Sequence, residues 1–302
     1  MKAKTITVDG KAVPLNSKMT GKRITKEVIY YLCGIVLSLL FLFPILYMLA
    51  TSTKSESAYA ASAGSLAMFL PDFAHLGTMF DNYGSVFTNY GIWRNALNSF
   101  LYAAIVIVLN VLINGLAGYV MSKMYFPGKR LFSALIIFLI VVPVETSIIP
   151  LYSIVKIMLG LKQSATILGI ILPASISIFN VFLFMQFFQS IPKEYEEAAR
   201  LDGSSTLGIF FKVILPLSKP IVATVAVFCF IGVWNDYIWP SMILPKDLLP
   251  IQAVLETIQS MEGVTTGEVM ASLVITSIPI FIIYVAAQKY IVQGFGSAGL
   301  KM

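Results

Sequence analysis

Six long apolar runs alternate with shorter polar intervals along this chain. A helix that crosses a bilayer needs about 20 apolar residues, and each run has roughly that length. A lone strand would leave its backbone polar groups unpaired in lipid, so the runs predict helices. The pattern predicts an all-α, polytopic membrane protein with six transmembrane helices. The predicted spans are residues 28–50, 95–121, 131–155, 165–188, 221–244 and 269–292.

Composition agrees with this pattern, because 58% of the residues are hydrophobic and 12% are charged. A soluble domain carries about 25% charged residues, so an ordinary soluble domain is excluded. The chain is predicted to consist of a polar tail (residues 1–27), a six-span domain (28–292) and a second tail (293–302). The first tail lacks an apolar core followed by a small-residue cleavage site, so it is expected to be retained and partly disordered.

The basic residues predict the orientation of the chain in the membrane. Sixteen of the 21 lysines and arginines fall in the first tail, in the second and fourth connections, and at the C-terminal end of the chain, where Lys289 and Lys301 lie. Cytoplasmic segments carry the excess of positive charge, so both termini and the fourth connection are predicted to be cytoplasmic. The formal charge of +6 is mostly this topological signal. Five basic residues lie on the other side: Lys54, Arg94, Lys156, Lys162 and Lys246.

The fourth connection, residues 190–220, predicts a helix–turn–helix rather than a slack loop. Ser190 is expected to cap the first helix, with Pro192 in its first turn. Glu196 and Arg200 are spaced to form an i,i+4 ion pair. One face of this helix is expected to be apolar, formed by Phe188, Ile191, Tyr195, Ala198 and Ala199.

The helix–turn–helix is expected to bend at Asp202-Gly203, because glycine tolerates the left-handed conformation that ends a helix. Ser204 or Ser205 then caps a second helix. Its apolar stripe is predicted to contain Leu207, Phe210, Phe211 and Ile214.

This interval resembles a known motif. Glu197-Ala198-Ala199, then Gly203, then residues 213–216 (VILP) are similar to the EAA loop of ABC importer permeases, with Val213 where isoleucine is usual. The alternative is an amphipathic hairpin lying on the bilayer surface. In that family the loop forms a coupling helix that docks on a cytoplasmic ATPase. The resemblance implies ATPase-coupling roles for Glu194, Glu197, Ala198, Ala199, Asp202 and Gly203.

The surrounding sequence resembles the carbohydrate-uptake, maltose-type branch of that family. This implies a subunit that forms half of a sugar pathway in a prokaryotic plasma or inner membrane. The implied partners are a second related permease, two ATP-binding subunits and an extracytoplasmic solute-binding protein. ATP and Mg²⁺ would be used by the partner ATPase, and no cofactor would be bound by this chain.

Two stretches are candidates for the substrate pathway. Glu145 lies between Pro143 and Pro150 in the third span, where prolines predict a kink and an ionisable group must face water or a partner. Glu145 either lies on the substrate pathway or forms a buried structural hydrogen bond. The fifth span ends in aromatic, amide and acidic side chains, which are the groups that bind a sugar. The alternative interpretation is an aromatic belt at the membrane interface. These side chains are Trp234, Asn235, Asp236 and Trp239.

Residues 51–94 form the longest external segment and are expected to fold as short helices with mostly solvated polar side chains. By resemblance, this segment contacts the solute-binding protein. It contains His75, the single histidine of the chain, which alone cannot form a metal site.

Other functions receive little support from the sequence. The chain has no GxxxxGK[ST] phosphate-binding loop, so it is not expected to be an ATPase or another enzyme. A nucleic-acid role would require a basic face on a folded domain. An ABC permease for a non-sugar solute remains an alternative, as does a secondary transporter, which would show internal repeats and intramembrane charges.

Overall fold

The computed structural model describes residues 5–8, 11–14, 21–159 and 163–299, and this part of the chain is predominantly helical. The helices are α1 (Gly21–Thr51), α2 (Glu56–Ser62), α3 (Asp81–Asn89), α4 (Ile92–Lys123), α5 (Lys129–Ile140), α6 (Ile148–Leu159), α7 (Gln163–Ala174), α8 (Ile178–Ser190), α9 (Glu194–Leu201), α10 (Thr206–Ile209), α11 (Leu215–Leu217), α12 (Lys219–Asn235), α13 (Ile238–Ile243), α14 (Ile251–Gln259) and α15 (Thr266–Gly299). Short 3-10 turns lie at Leu66–Phe69, Phe73–His75, Val144–Ser147 and Lys246–Leu248. The predicted helical class is confirmed.

A small hairpin in the N-terminal tail was not predicted by the sequence. Strand β1 (Thr5–Val8) pairs antiparallel with β2 (Lys11–Pro14), with Thr5 opposite Pro14. The strands join no larger sheet among the described residues. The hairpin therefore does not alter the helical architecture of the rest of the chain.

Four helical stretches are each long and apolar enough to cross a bilayer: Thr25–Thr51, Ile92–Lys123, Ile167–Ser190 and Thr266–Lys289. Two further pairs of helices pass the same length and hydropathy test when each pair is counted as one stretch, and each pair is bent at its break. Lys129–Ile140 and Val144–Ile157 meet at 98°, and Thr206–Leu217 and Lys219–Asn235 meet at 83°. The described chain therefore supports four spans, or up to six if each bent pair crosses the membrane once.

The predicted third span is one of the bent pairs. Helix α5 ends at Ile140, and Pro143 precedes a 3-10 turn that leads into α6. A proline disfavours helical backbone at the residue before it, which explains why the helix stops there. The predicted kink is present, and it is much larger than a simple proline bend.

The predicted fifth span is interrupted, which corrects the expectation of one continuous helix to residue 244. Helix α12 ends at Asn235, and Asp236 has extended backbone with ψ of 119°. The Asp236 carboxylate accepts a hydrogen bond from the backbone N–H of Trp239 at 3.3 Å. This local bond starts the short helix α13 instead of continuing α12.

The main packing contact lies between α4, α8 and α12. Gly118 of α4 lets α8 approach closely, because a Cβ placed there would lie 2.6 Å from the Cβ of Phe184 and 3.0 Å from the backbone nitrogen of Met185. Small residues commonly allow such close helix crossings in membranes. One apolar cluster, which includes Tyr119, Phe184, Phe188, Phe210 and Val225, fills this end of the bundle.

Gly118→Ala is expected to destabilise the protein by about 1–3 kcal/mol, because the new methyl group overlaps the backbone of α8. Gly115→Ala is the matched control. Its Cβ would meet the tip of the Phe210 ring at 3.4 Å, which is close to ordinary contact. Thermal unfolding of the detergent-solubilised protein measures both variants. Equal transition temperatures for the two would contradict the close crossing.

The segment predicted to be external folds as α2, two 3-10 turns and α3, as expected for short helices. One of its charged side chains, Lys54, is an exception to the mostly solvated polar side chains expected here. Lys54 is 4% exposed and its ammonium donates to the Ser62 hydroxyl at 3.1 Å and to the Ala67 carbonyl at 2.8 Å. Burial lowers the pKa of Lys54, while the nearby Asp72 opposes this shift. Asp72 also pairs with the exposed His75, 3.1 Å away.

Candidate functional site

The first helix of the 190–220 loop begins later than the sequence predicted. Ser190 is the last residue of α8, and its hydroxyl donates to the Phe187 carbonyl at 2.7 Å. It therefore does not cap α9, and that prediction is wrong. The Lys193 carbonyl instead accepts the first hydrogen bonds of α9, from the N–H groups of Glu196 (2.9 Å) and Glu197 (3.0 Å).

The turn after α9 agrees with the prediction. Gly203 has φ of +77°, in the left-handed region. Its N–H donates to the Arg200 carbonyl, and the N–H of Ser204 donates to the Ala199 carbonyl, both at 3.0 Å. These bonds satisfy the last carbonyls of the helix in the manner of a Schellman motif. The Ser205 hydroxyl then accepts from the Gly208 N–H at 3.2 Å and caps the second helix.

The second helix contains a π-helical stretch at Phe210–Ile214, between α10 and α11. Such stretches are rare and are frequent at functional sites. The predicted apolar stripe is divided here. Phe210 and Ile214 are fully buried, whereas Leu207 is 60% exposed and Phe211 is 45% exposed. The exposed pair remains available on the surface of the loop.

The buried face of α9 also differs from the prediction. Ile191, Glu196 and Ala199 are buried, while Tyr195 and Ala198 are exposed. An acidic side chain turns inward because another helix supplies a positive charge for it. Hydrophobic periodicity does not detect such a partner.

That partner is Lys123, the last residue of α4. Its ammonium lies 3.2 Å from a carboxylate oxygen of Glu196, and the two side chains are 6% and 9% exposed. The Lys123 ammonium also donates to the Ile191 carbonyl at 2.6 Å, and the Tyr119 hydroxyl donates to Glu196 at 3.3 Å. Glu196 therefore pairs with α4, not with Arg200 as predicted. We call Tyr119, Lys123 and Glu196 the anchor cluster.

The opposite side of α9 faces outward with a mixture of apolar and acidic side chains. Leu201 is 89% exposed and Tyr195 is 51% exposed. Among the six residues singled out for coupling, Ala199 is buried against the bundle and the others are exposed: Glu194, Glu197, Ala198, Asp202 and Gly203. The loop is thus an arm with one face fixed to α4 and the other face open.

The candidate pathway residues do not form a single cluster. The two tryptophans are buried in helix contacts: the Trp234 indole N–H donates to the Thr276 carbonyl at 3.1 Å, and that of Trp239 donates to the Gly169 carbonyl at 3.0 Å. Glu145 is exposed in the turn between α5 and α6, and Asn235 is exposed at the end of α12. The structure places Asp236, alone of the five, at the cavity described next.

This cavity has a volume of about 410 Å³ and lies among α4, α8 and α12. Its polar lining groups come from Asn110, Ser177, Asn180, Cys229 and Asp236. The Asn180 amide donates to the Asn110 side-chain oxygen at 2.9 Å and to the Cys229 sulfur at 3.4 Å. Asn180 therefore forms hydrogen bonds to both α4 and α12.

Asn110 was missed by the sequence reasoning, although an asparagine within an apolar span is a signal that could have found it. It is 1% exposed, and its side-chain nitrogen has no hydrogen-bond partner among the described residues. A neighbouring asparagine fixes the break in the fourth span: Asn114 donates to the Ser175 carbonyl at 3.0 Å and accepts from the Ser177 N–H at 3.1 Å.

Residues 114–297, more than half of the chain, match a protein family described as "Binding-protein-dependent transport system inner membrane component". The chain belongs to this family of membrane permeases. The matched region includes the 190–220 loop, while Asn110 and helix α1 precede it. The resemblance seen in the sequence is confirmed, and the permease is an inner-membrane transport component.

Characterised relatives extend the match beyond this region. The permease is 30% identical over 285 residues to the arabinooligosaccharides transport system permease protein AraQ of Halalkalibacterium halodurans, covering 93% of this chain and 99% of that protein. It is 35% identical over 205 residues to the sn-glycerol-3-phosphate transport system permease protein UgpE of Salmonella typhimurium, covering 67% and 72% respectively.

A solved structure shares the fold of the permease. The crystal structure of a bacterial ABC transporter involved in the import of the acidic polysaccharide alginate contains a chain that matches with a TM-score of 0.74 and 30% identity. The match covers 92% of the permease and 99% of that chain. This agreement places the permease among the membrane subunits of ABC importers.

Proposed function

We propose that this permease forms half of the translocation pathway of an ABC importer for a carbohydrate and is coupled to a separate ATPase through the 190–220 loop. The relatives support the substrate class, since one is named for arabinooligosaccharides and the matched structure is of a transporter involved in the import of the polysaccharide alginate. Another relative is named for sn-glycerol-3-phosphate. The observation that carries the coupling role is the geometry of the loop, which is fixed to α4 on one face and open on the other.

The open face is suited to a protein partner. Interfaces combine an apolar centre with a polar rim, and here Tyr195, Ala198 and Leu201 are bordered by Glu194 and Glu197. The distribution of basic residues would place this face, and both termini, in the cytoplasm of a prokaryotic cell. An ATPase that uses ATP and Mg²⁺ would then bind here, and each importer would contain two ATPase subunits.

The anchor cluster provides a route from that partner to the membrane helices. When the ATPases close, the arm would move with them, and Lys123 would transmit the movement to α4. Helix α4 packs against α8 and α12, which line the cavity. A rigid-body shift of these helices would alternate access to the pathway between this permease and a second, related one. A solute-binding protein would deliver the substrate from outside.

The pathway residues receive different proposed roles from their positions. Asp236 lies at the cavity and would contact substrate. Glu145 and Asn235 are exposed on helix ends, where they would face water or the second permease. Trp234 and Trp239 support the helices that carry these groups, because their indole N–H groups already bond to backbone carbonyls.

Leu201→Glu is expected to reduce retention of the ATPase subunit at least about tenfold when the permease is affinity-purified from cells that express the whole importer, because it charges the centre of the open face. Leu66→Glu is the matched control, since Leu66 is 85% exposed on the external segment. Both variants should keep the unfolding temperature of the parent. Normal ATPase retention by Leu201→Glu would exclude docking at this face.

A further inference from the structure

We propose that the cavity lined by Asn110, Ser177, Asn180 and Asp236 is a subsite for a neutral, hydroxyl-rich ligand and discriminates against phosphorylated or uronic sugars. This inference rests on the proposed transport function and specifies the substrate class of its pathway. Three features carry it: an unpartnered donor, an acidic acceptor, and the charge of the lining.

The unpartnered donor belongs to Asn110. Its side-chain oxygen already accepts from the Asn180 amide at 2.9 Å, which fixes the orientation of the Asn110 side chain. Its nitrogen is consequently held in the cavity wall with no partner from the described part of the chain. A buried donor left unpaired costs about 1–3 kcal/mol, which a ligand hydroxyl group would recover by accepting the hydrogen bond.

The acceptor is the carboxylate of Asp236, which directly follows α12 and lines the same cavity. Hydroxyl groups both donate and accept, so an amide donor and a carboxylate acceptor in one cavity match a polyol. The rings of Phe179 and Phe228 lie in the lining with their centres 6.0 Å apart. Aromatic rings provide apolar surface for the carbon–hydrogen faces of a sugar.

The charge of the lining determines the substrate class. Among the residues that line this cavity in the described chain, none is lysine, arginine or histidine, and Asp236 is the one acidic residue. A phosphate or carboxylate entering it would lose hydration without gaining a cationic partner, which is costly. The permease surface is thus complementary to a neutral sugar, which distinguishes it from the relative named for a phosphorylated substrate and from the matched transporter of an acidic polysaccharide.

Charged thiol reagents test the electrostatic part without needing a known substrate. Gly232 lines the cavity, and a Cβ placed there meets open space, so Gly232→Cys in a Cys33→Ser, Cys229→Ser background provides a reporter. Each reagent's rate with the reporter is divided by its rate with a free thiol in solution. After this correction, cationic trimethylammonium-ethyl methanethiosulfonate is expected to react about tenfold faster than the anionic sulfonatoethyl reagent. Asp236→Asn should remove this preference while keeping an oxygen to accept from Trp239.

A second variant checks that Asn110 faces the same space. Asn110→Asp keeps an oxygen for Asn180, adds a negative charge, and should increase the preference for the cationic reagent several-fold over that of the parent. Ser177→Cys is the alternative reporter if Gly232→Cys is poorly folded. Equal reaction rates for the two reagents would overturn the proposal. So would a ratio of the two rates that neither Asp236→Asn nor Asn110→Asp changes.

Protection experiments test the ligand class directly. Arabinobiose is expected to slow labelling of Gly232→Cys by neutral methyl methanethiosulfonate at least about twofold, and glucuronic acid at the same concentration should protect less. Asn110→Leu should remove the protection, because it deletes the donor. Absent protection by arabinobiose, or equal protection by the acid, would refute the subsite. Since no ATPase is needed, this failure is distinguishable from a failure of the coupling role.

Discussion

Replacing Gly203 by proline is expected to reduce ATP hydrolysis by the reconstituted importer at least about tenfold, while the permease still inserts into the membrane. Proline fixes φ near −65°, whereas Gly203 has φ of +77°, so the turn between α9 and α10 cannot form. Proline also lacks the N–H that donates to the Arg200 carbonyl. Phosphate release by proteoliposomes that contain the complete importer measures the effect without knowledge of the transported sugar.

Gly203→Asn is the matched control. Asparagine tolerates the left-handed region better than other residues, and a Cβ at this position meets open space. We expect Gly203→Asn to keep most of the hydrolysis rate, and Gly203→Ala to fall between the two variants because of backbone strain of about 1–2 kcal/mol. If the proline variant hydrolysed ATP as fast as the asparagine variant, the turn would have no part in coupling.

The turn itself could be predicted from the sequence because its determinants are local. Gly203 donates to the carbonyl three positions before it, and the Ser205 hydroxyl accepts from the backbone N–H three positions after it. The start of α9 could not be predicted in the same way. Ser190 has an equally good local partner at the end of α8, and the sequence does not decide between two neighbouring helix ends.

The inward-facing side of α9 was not predictable, because it depends on a residue in another helix. Glu196 reads as a surface residue in a charged helix, and its partner Lys123 ends a span far away in the chain. Periodicity measures apolar burial and does not register a buried ion pair. The same limit explains why Tyr195 was placed on the buried face, although it is exposed.

The apolar spans were predictable from length and composition, whereas their internal faces were not. In helices that are apolar on every side, the sequence does not separate residues facing lipid from residues facing protein. Trp234 and Trp239 therefore looked like members of one polar cluster with Asp236, although both are buried. The cavity beside Asp236 needed the crossing of α4, α8 and α12 to be known.

Lys123→Met is expected to destabilise the permease by about 3–5 kcal/mol, because it leaves the Glu196 carboxylate buried without its counter-charge. The Ile191 carbonyl would also lose the ammonium donor that holds the start of the loop. We expect Lys123→Met to show both a lower unfolding temperature in detergent and reduced ATPase retention, since the anchor cluster also orients the arm. Fluorescence-detected size-exclusion after heating gives the first quantity, and affinity purification gives the second.

The double variant Lys123→Met, Glu196→Met separates charge burial from packing. Removing both charges should restore stability to within about 2 kcal/mol of the parent, because an apolar pair avoids the desolvation that a lone carboxylate suffers. Lys129→Met is the matched control: Lys129 donates to the Ser122 and Met124 carbonyls at 3.1 and 2.9 Å, and no buried acid in the described part of the chain pairs with it. Its expected loss is about 1 kcal/mol. A double variant as unstable as Lys123→Met would show that the lysine acts through its carbonyl contact, and Glu196 would then have no anchoring role.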